Sequence, residues 1–227
     1  MNDVAELFRQ YNLVQAFGMT LLLTVLSAIG AALIGMVIAV LRISPVAALR
    51  FFGTSYVTLI RNTPLTLILF FCVFGFLLSM NWPLLGRGAS TEWNNFAWAV
   101  VALSIYHASF VAEAIRSGVN TVPMGQAEAA RALGLSFGGS IREVILPQAL
   151  RGAVAPLGNT LIALTKNTTV AATVTVTEAS TQMKNMIEFR PDLIVLIFAI
   201  IAFGFVVLTL PMGIIFTRLS QKLAVAR

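Results

Sequence analysis

The stretch from about residue 14 to 41 carries no charged side chain, and it is one of several apolar runs long enough to cross a hydrocarbon core. A crossing needs roughly 20 residues of helix. Lipid cannot satisfy a bare backbone, so helices and closed barrels are the only spanning forms. Continuous runs, in place of ten-residue alternations, select helices. Composition agrees: 58% of the 227 residues are hydrophobic and 11% charged, far from the soluble average. The expected architecture is an all-α integral membrane protein forming a single domain over residues 1–227.

Five membrane helices are predicted, at about 14–41, 53–80 with a kink at Pro64, 94–117, 149–180, and 191–217 with Pro211 near its end. The polar start containing Asp3 and Glu6 precedes an apolar run of about 27 residues, against roughly 7 to 15 for the core of a cleavable signal, so that run is expected to stay as the first span. TVAATVTVTEAS, Thr169 to Ser180, alternates like a strand. A lone strand in lipid would leave its backbone unpaired, so a helix with its threonines toward a neighbour or a wet path is expected.

An odd number of spans puts the termini on opposite sides. Arg42, Arg50, Arg116, Arg131, Arg142, Arg151, Arg218, Lys222 and Arg227 then share one side, and Arg9, Arg87, Lys184 and Arg190 the other. The positive-inside rule places the N-terminus outside and the C-terminus in the cytoplasm. Basic residues at segment ends serve orientation, not nucleic acid. A lone cysteine, Cys72, provides no disulfide framework, and one histidine with one cysteine makes no metal-ligand cluster.

This topology makes residues 119–148 the largest cytoplasmic loop. Gln126 to Leu133 is built from strong helix formers, Gly134 permits a sharp break, and a second helix is expected from about Ser136 to Leu146, ending at Pro147. Alanines 127, 129, 130 and 132 keep one surface thin. Such a knob suits a partner's groove or a connector lying on the membrane, and the residues alone leave both open.

EAARALG, followed after nine intervening residues by the VILP ending, resembles the EAA loop of bacterial ATP-binding-cassette importer permeases, departing only by Val144 where that pattern has isoleucine. TLLLTVLSAIGAALIG, LIRNTPLTLILFF, VAEAIRSGV, VPMGQAEAARALGLS, VILPQALRGAVAPLGN and LTKNTTV resemble their polar amino-acid uptake subfamily across nearly the whole chain.

The resemblance implies a type I importer permease fold, with a coupling helix seated in a groove of a cytoplasmic ATPase. Glu128, Ala129, Ala130, Leu133 and Gly134 would form that contact. It also implies a homologous or identical second permease, two ATPase subunits carrying ATP and Mg, and an extracytoplasmic substrate-binding protein. This chain has no GxxxxGK[ST] phosphate loop of its own, so it is read as a transport subunit without an ATPase site or cofactor.

Gly134-Leu135-Ser136-Phe137-Gly138 also matches the G-x-S-x-G nucleophile elbow. That motif needs a preceding strand and a nearby base, and the only histidine, His107, comes before the serine. Ser136 is instead expected to cap the following helix.

Ionisable groups within spans face a bundle interior or a cavity. Arg61, His107, Glu113, Lys166 and Glu178 are the candidates here. Tyr106 and Glu113 are seven apart, as are Asn159 and Lys166, so each pair shares a helix face. Glu113 reads as a packing group. Tyr106 and His107 suit a translocation path or simple packing, and Asn159, Lys166, Asn167 and Thr168 complete the candidate path.

Asn167 stands where the subfamily often has Asp, which lightens negative charge along a path for an anion and favours glutamate or aspartate. The whole sequence also resembles the glutamate-uptake permeases of actinobacteria. Asn62 stands where that subfamily commonly has Gly. The expected function is a permease carrying a polar amino acid across the bacterial cytoplasmic membrane; the rival is an ATPase-independent secondary transporter or channel.

Overall fold

The computed structural model of the protein describes Leu7 and residues 9–223. Asp3, Glu6 and Arg227 lie outside the described residues. Among the described residues there is no strand. The helices are α1 (Leu13–Ile43), α2 (Ala47–Arg61), α3 (Leu65–Phe70, continued by a π-helical run Phe71–Ser79), α4 (Thr91–Val119), α5 (Met124–Ala132), α6 (Leu146–Asn167), α7 (Ala179–Phe189) and α8 (Ile194–Leu223).

Among the described residues three helices are long and apolar enough to cross a membrane: α1, α4, and α8 with the turn before it. The apolar window of α4 is 67% buried, against 28% for α1 and 11% for α8. α4 is therefore the central post, and α8 shows most of its surface to the surroundings.

Small residues set the α1–α4 distance. A Cβ on Gly35 would sit 2.6 Å from Val111 Cβ and 2.9 Å from the Ala108 carbonyl oxygen, so only glycine permits this crossing. Without a hydrophobic drive between helices in lipid, such close van der Waals approach supplies association. Ser104 Oγ donates to the Ser27 carbonyl at 3.3 Å, and Tyr56 Oη donates to the Ile105 carbonyl at 2.7 Å, tying α1 and α2 to the post.

The predicted helix over 53–80 is two helices, α2 and α3, meeting at 101°. Pro64 has no N–H and pushes Thr63 out of the helical region. The Ile60 carbonyl, left without a donor by Pro64, accepts from Thr63 N–H at 3.2 Å, and side chains add bonds to the last turn. Asn62 Nδ2 donates to Thr58 O at 2.8 Å and Thr63 Oγ1 to Leu59 O at 2.8 Å. Together the two halves are long and apolar enough for one broken span.

The predicted helix over 149–180 also divides. α6 ends at Asn167, a 3-10 run covers Thr168–Val174, Thr175 takes a left-handed φ of 58°, and α7 begins at Ala179. Thr168, Thr169 and Thr173 each donate a hydroxyl to the carbonyl three residues back, which favours the tighter winding. α6 carries Arg151, Asn159 and Lys166 and lacks the sustained apolar run of α1, α4 and α8.

At its other end α6 does not start afresh after Pro147. Helix runs unbroken from Phe137, with a π-helical stretch Ser140–Ile145 ahead of the proline.

Two ends of the bundle are distinct. Asn12, Glu92, Trp93, Thr177 and Gln182 line one cleft of about 350 Å³ at the first end. At the other, Arg42 pairs with Glu113, which also accepts from Arg116 at 3.3 Å.

Candidate functional site: a projecting loop and a buried polar cluster

The loop between α4 and α6 is shaped by local turn chemistry. α5 follows Pro123 and runs to Ala132, and its end is a paired carbonyl capture. Leu135 N–H bonds the Ala130 carbonyl at 3.1 Å and Gly134 N–H bonds the Arg131 carbonyl at 2.9 Å. Gly134 sits at φ +81°, the left-handed position this motif requires. Ser136 Oγ then accepts from Gly139 N–H at 3.2 Å, capping the next turn. The serine of the hydrolase-like pattern is thus a helix cap following a helix and turn, not a strand.

Of the five residues expected to contact an ATPase, Glu128, Ala129, Leu133 and Gly134 are exposed, and Ala130 is buried, 3% exposed. Ala130 faces into the loop and backs the exposed surface. Leu133 is 84% exposed and Met124 78%, and Leu135 and Phe137 are exposed beside them. A cluster of large apolar side chains on a polar knob marks an interaction surface. Met124, Leu135 and Phe137 carry a signal the sequence offered, apolar residues flanking a polar helix, but only the fold shows them uncovered.

The second region lies where α4 meets α6. His107 is buried, with Nδ1 3.0 Å from the Leu103 carbonyl and Nε2 3.2 Å from Asn167 Nδ2. The carbonyl requires a proton on Nδ1, so Nε2 accepts from the Asn167 amide and the ring is neutral. Tyr106 stands edge-on to His107 at 5.2 Å between centroids and is tilted against Phe110 at 5.2 Å. The Arg61 guanidinium lies over the Phe110 ring, 5.0 Å from its centre.

Tyr106, His107 and Asn167 are therefore brought together. Thr168 is buried and spends its hydroxyl on the Thr165 carbonyl at 2.8 Å. Asn159 and Lys166 lie elsewhere, on the exposed side of α6 with Arg151, Ala155 and Ala163. That stripe mixes charged, amide and small side chains, which hydrocarbon disfavours.

Glu113 belongs to neither region. It joins α1 to α4 through Arg42, whose side chain is only 9% exposed; the sequence offered no way to pick Arg42 as its partner. Glu178, fully buried, caps α7 by accepting from Thr181 N–H at 2.9 Å and takes the Thr20 hydroxyl at 3.3 Å.

A family model described as the binding-protein-dependent transport system inner membrane component matches residues 31–225. The chain is 51% identical over 218 residues to the glutamate transport system permease protein GluC of Corynebacterium glutamicum, covering 95% of this chain and 96% of that one. It is 33% identical over 222 residues to the probable glutamine ABC transporter permease protein GlnM of Bacillus subtilis, covering 97% and 98%. Among solved structures, an amino acid ABC transporter with histidines matches with a TM-score of 0.79 at 28% identity, covering 98% of this chain and 96% of that one. The inward-facing MetNI methionine ABC transporter shares the fold, with a TM-score of 0.76 at 21% identity and 94% and 96% coverage.

Proposed function

Because the chain belongs to the family of binding-protein-dependent transport system inner membrane components, we propose that it is the permease through which glutamate enters the cell. It is the membrane component of an amino-acid ATP-binding-cassette importer, and ATP hydrolysis belongs to a separate subunit. One observation carries the substrate: 51% identity to a glutamate transport permease at near-complete coverage of both chains.

In this reading α1, the α2–α3 pair, α4, α6 with its 3-10 extension, and α8 are the five spans, with the N-terminus outside. The basic residues grouped with α5 then lie in the cytoplasm. α5 is the coupling helix: Glu128, Ala129, Leu133 and Gly134 meet the ATPase, and Ala130 supports them from within. The exposed stripe of α6 faces a second permease subunit. Tyr106, His107, Asn159, Lys166, Asn167 and Thr168 belong to the substrate path.

Two ATPases, each with ATP and Mg, close and carry the two coupling helices with them. The permease pair then opens outward to take the amino acid from an extracytoplasmic binding protein. Hydrolysis returns it to the inward-open state. The energy of ATP reaches the path only through differential contacts of the loop with the two ATPase arrangements.

Reconstitution tests this. Vesicles holding the permease, its ATPase and the binding protein should accumulate labelled glutamate only with ATP. Uptake that proceeds without the ATPase, driven by an ion gradient, would overturn the reading.

A further inference from the structure

Arg61, exposed on this chain, ends α2 at the 101° elbow, inside the pair of helices read above as one broken span. A guanidinium at such depth is costly unless it meets protein, water or an anion. Its ordinary local employment is already taken. The carbonyls of Thr58 and Leu59, which a C-terminal arginine could cap, are held by Asn62 and Thr63. Among the described residues no carboxylate pairs with Arg61, as none pairs with Arg50, Arg87, Arg131, Arg151 or Arg218, whereas Arg42, Arg116, Arg142 and Arg190 each have one.

What does hold Arg61 is a ring. Phe110 lies under the guanidinium at 5.0 Å, and Tyr56, one turn and a half earlier on α2, fixes the helix to α4 through the Ile105 carbonyl. A cation–π contact orients an arginine while leaving its five N–H donors unspent. Phe110 is in turn packed against Tyr106 and His107, and His107 touches Asn167. The cation therefore stands at one edge of the polar cluster formed by α4 and α6. Broken helices at membrane depth are where transporters place their substrate sites.

We propose that Arg61 receives a carboxylate of the transported amino acid, with Phe110 as the platform that aims it and the Tyr106–His107–Asn167 cluster alongside. Bidentate N–H donation suits a carboxylate. Arg61 and Lys166 are both exposed on this chain, and Lys166 is the weaker candidate because among the described residues no ring or carboxylate orients it. The proposal rests on the amino-acid permease reading above and names the group that reads the substrate's charge.

The test is a ligand-by-residue cycle on the permease–ATPase assembly in nanodiscs, without binding protein. Labelled L-glutamate, glutamine (side-chain carboxylate as amide) and isoglutamine (α-carboxylate as amide) are bound to wild type and Arg61→Gln. Arg61→Gln should weaken glutamate at least tenfold. One amide should bind wild type correspondingly weakly and lose nothing further on Arg61→Gln, because both changes delete the same contact. The other amide should remain sensitive. Ratios between ligands on one variant are independent of how much of it folds.

Unchanged glutamate affinity in Arg61→Gln, or an equal loss for all three ligands, overturns the proposal. A wild-type assembly that binds none of the three while transporting another solute removes the amino-acid reading, and the proposal with it.

Discussion

Replacing Gly134 with a series of L-residues measures how much of the loop's shape depends on one dihedral. At φ +81° an added Cβ meets nothing within 4 Å, so the cost is conformational and owes nothing to crowding. A left-handed L-residue costs roughly 1–2 kcal/mol, less for asparagine, which visits this region more readily. Two backbone bonds close the turn, from Leu135 N–H to Ala130 and from Gly134 N–H to Arg131. Destabilising it by roughly 1–2 kcal/mol raises its open fraction about 5- to 30-fold. Amide hydrogen exchange of the 131–136 segment, read by mass spectrometry on the assembly in nanodiscs, reports that opening. Exchange should quicken in the order Gly134, Gly134→Asn, Gly134→Ala, Gly134→Val, and ATP-dependent uptake should fall in the same order. If Gly134→Ala exchanges like wild type, or asparagine is no better than alanine, the left-handed turn is not what fixes the exposed surface of the loop.

Glu113→Gln should lower the melting temperature of the purified permease more than Arg42→Gln/Glu113→Gln together, because the single change strands a guanidinium that is 9% exposed; with Glu113 itself a third exposed, about 2 kcal/mol is the expected scale. Gly35→Leu should prevent a stable permease from being purified, since even its Cβ would overlap Val111 and the Ala108 carbonyl; a normal yield with an unchanged melting curve would mean α1 and α4 can separate at little cost. Ser136→Ala removes a cap worth about 1 kcal/mol and should speed exchange at Gly139 while uptake persists; complete loss of uptake would mean that the hydroxyl acts beyond capping.

Legibility in this chain follows the range of the interaction. α1 and α4 were readable to within three residues at either end, because uninterrupted apolar runs declare themselves. Pro64 declared a disturbance but not its size; the 101° elbow depends on Asn62 and Thr63 turning back to cap α2, which matters only once the helix has already broken. The alternation from Thr169 to Ser180 did report something non-α, yet unpaired strands are excluded in lipid and a helix was the nearest alternative. The third option, a threonine-stitched 3-10 run, lies between the two and has no period of its own at that length.

The loop was readable for the same reason as α1: Gly134 and Ser136 act within five residues of themselves. The polar cluster was not, since His107 and Asn167 stand 60 residues apart and Thr20 and Glu178 158 apart. A helical face can be read from spacing, but which other face it meets is decided by the small residues that let helices close. Gly35 and Gly118, where a Cβ would collide with Val111 and with the Ala149 carbonyl, bring α1 and α6 onto α4. The residues that place the candidate substrate cluster are therefore glycines and alanines remote from it, and a polar search along the sequence passes over them.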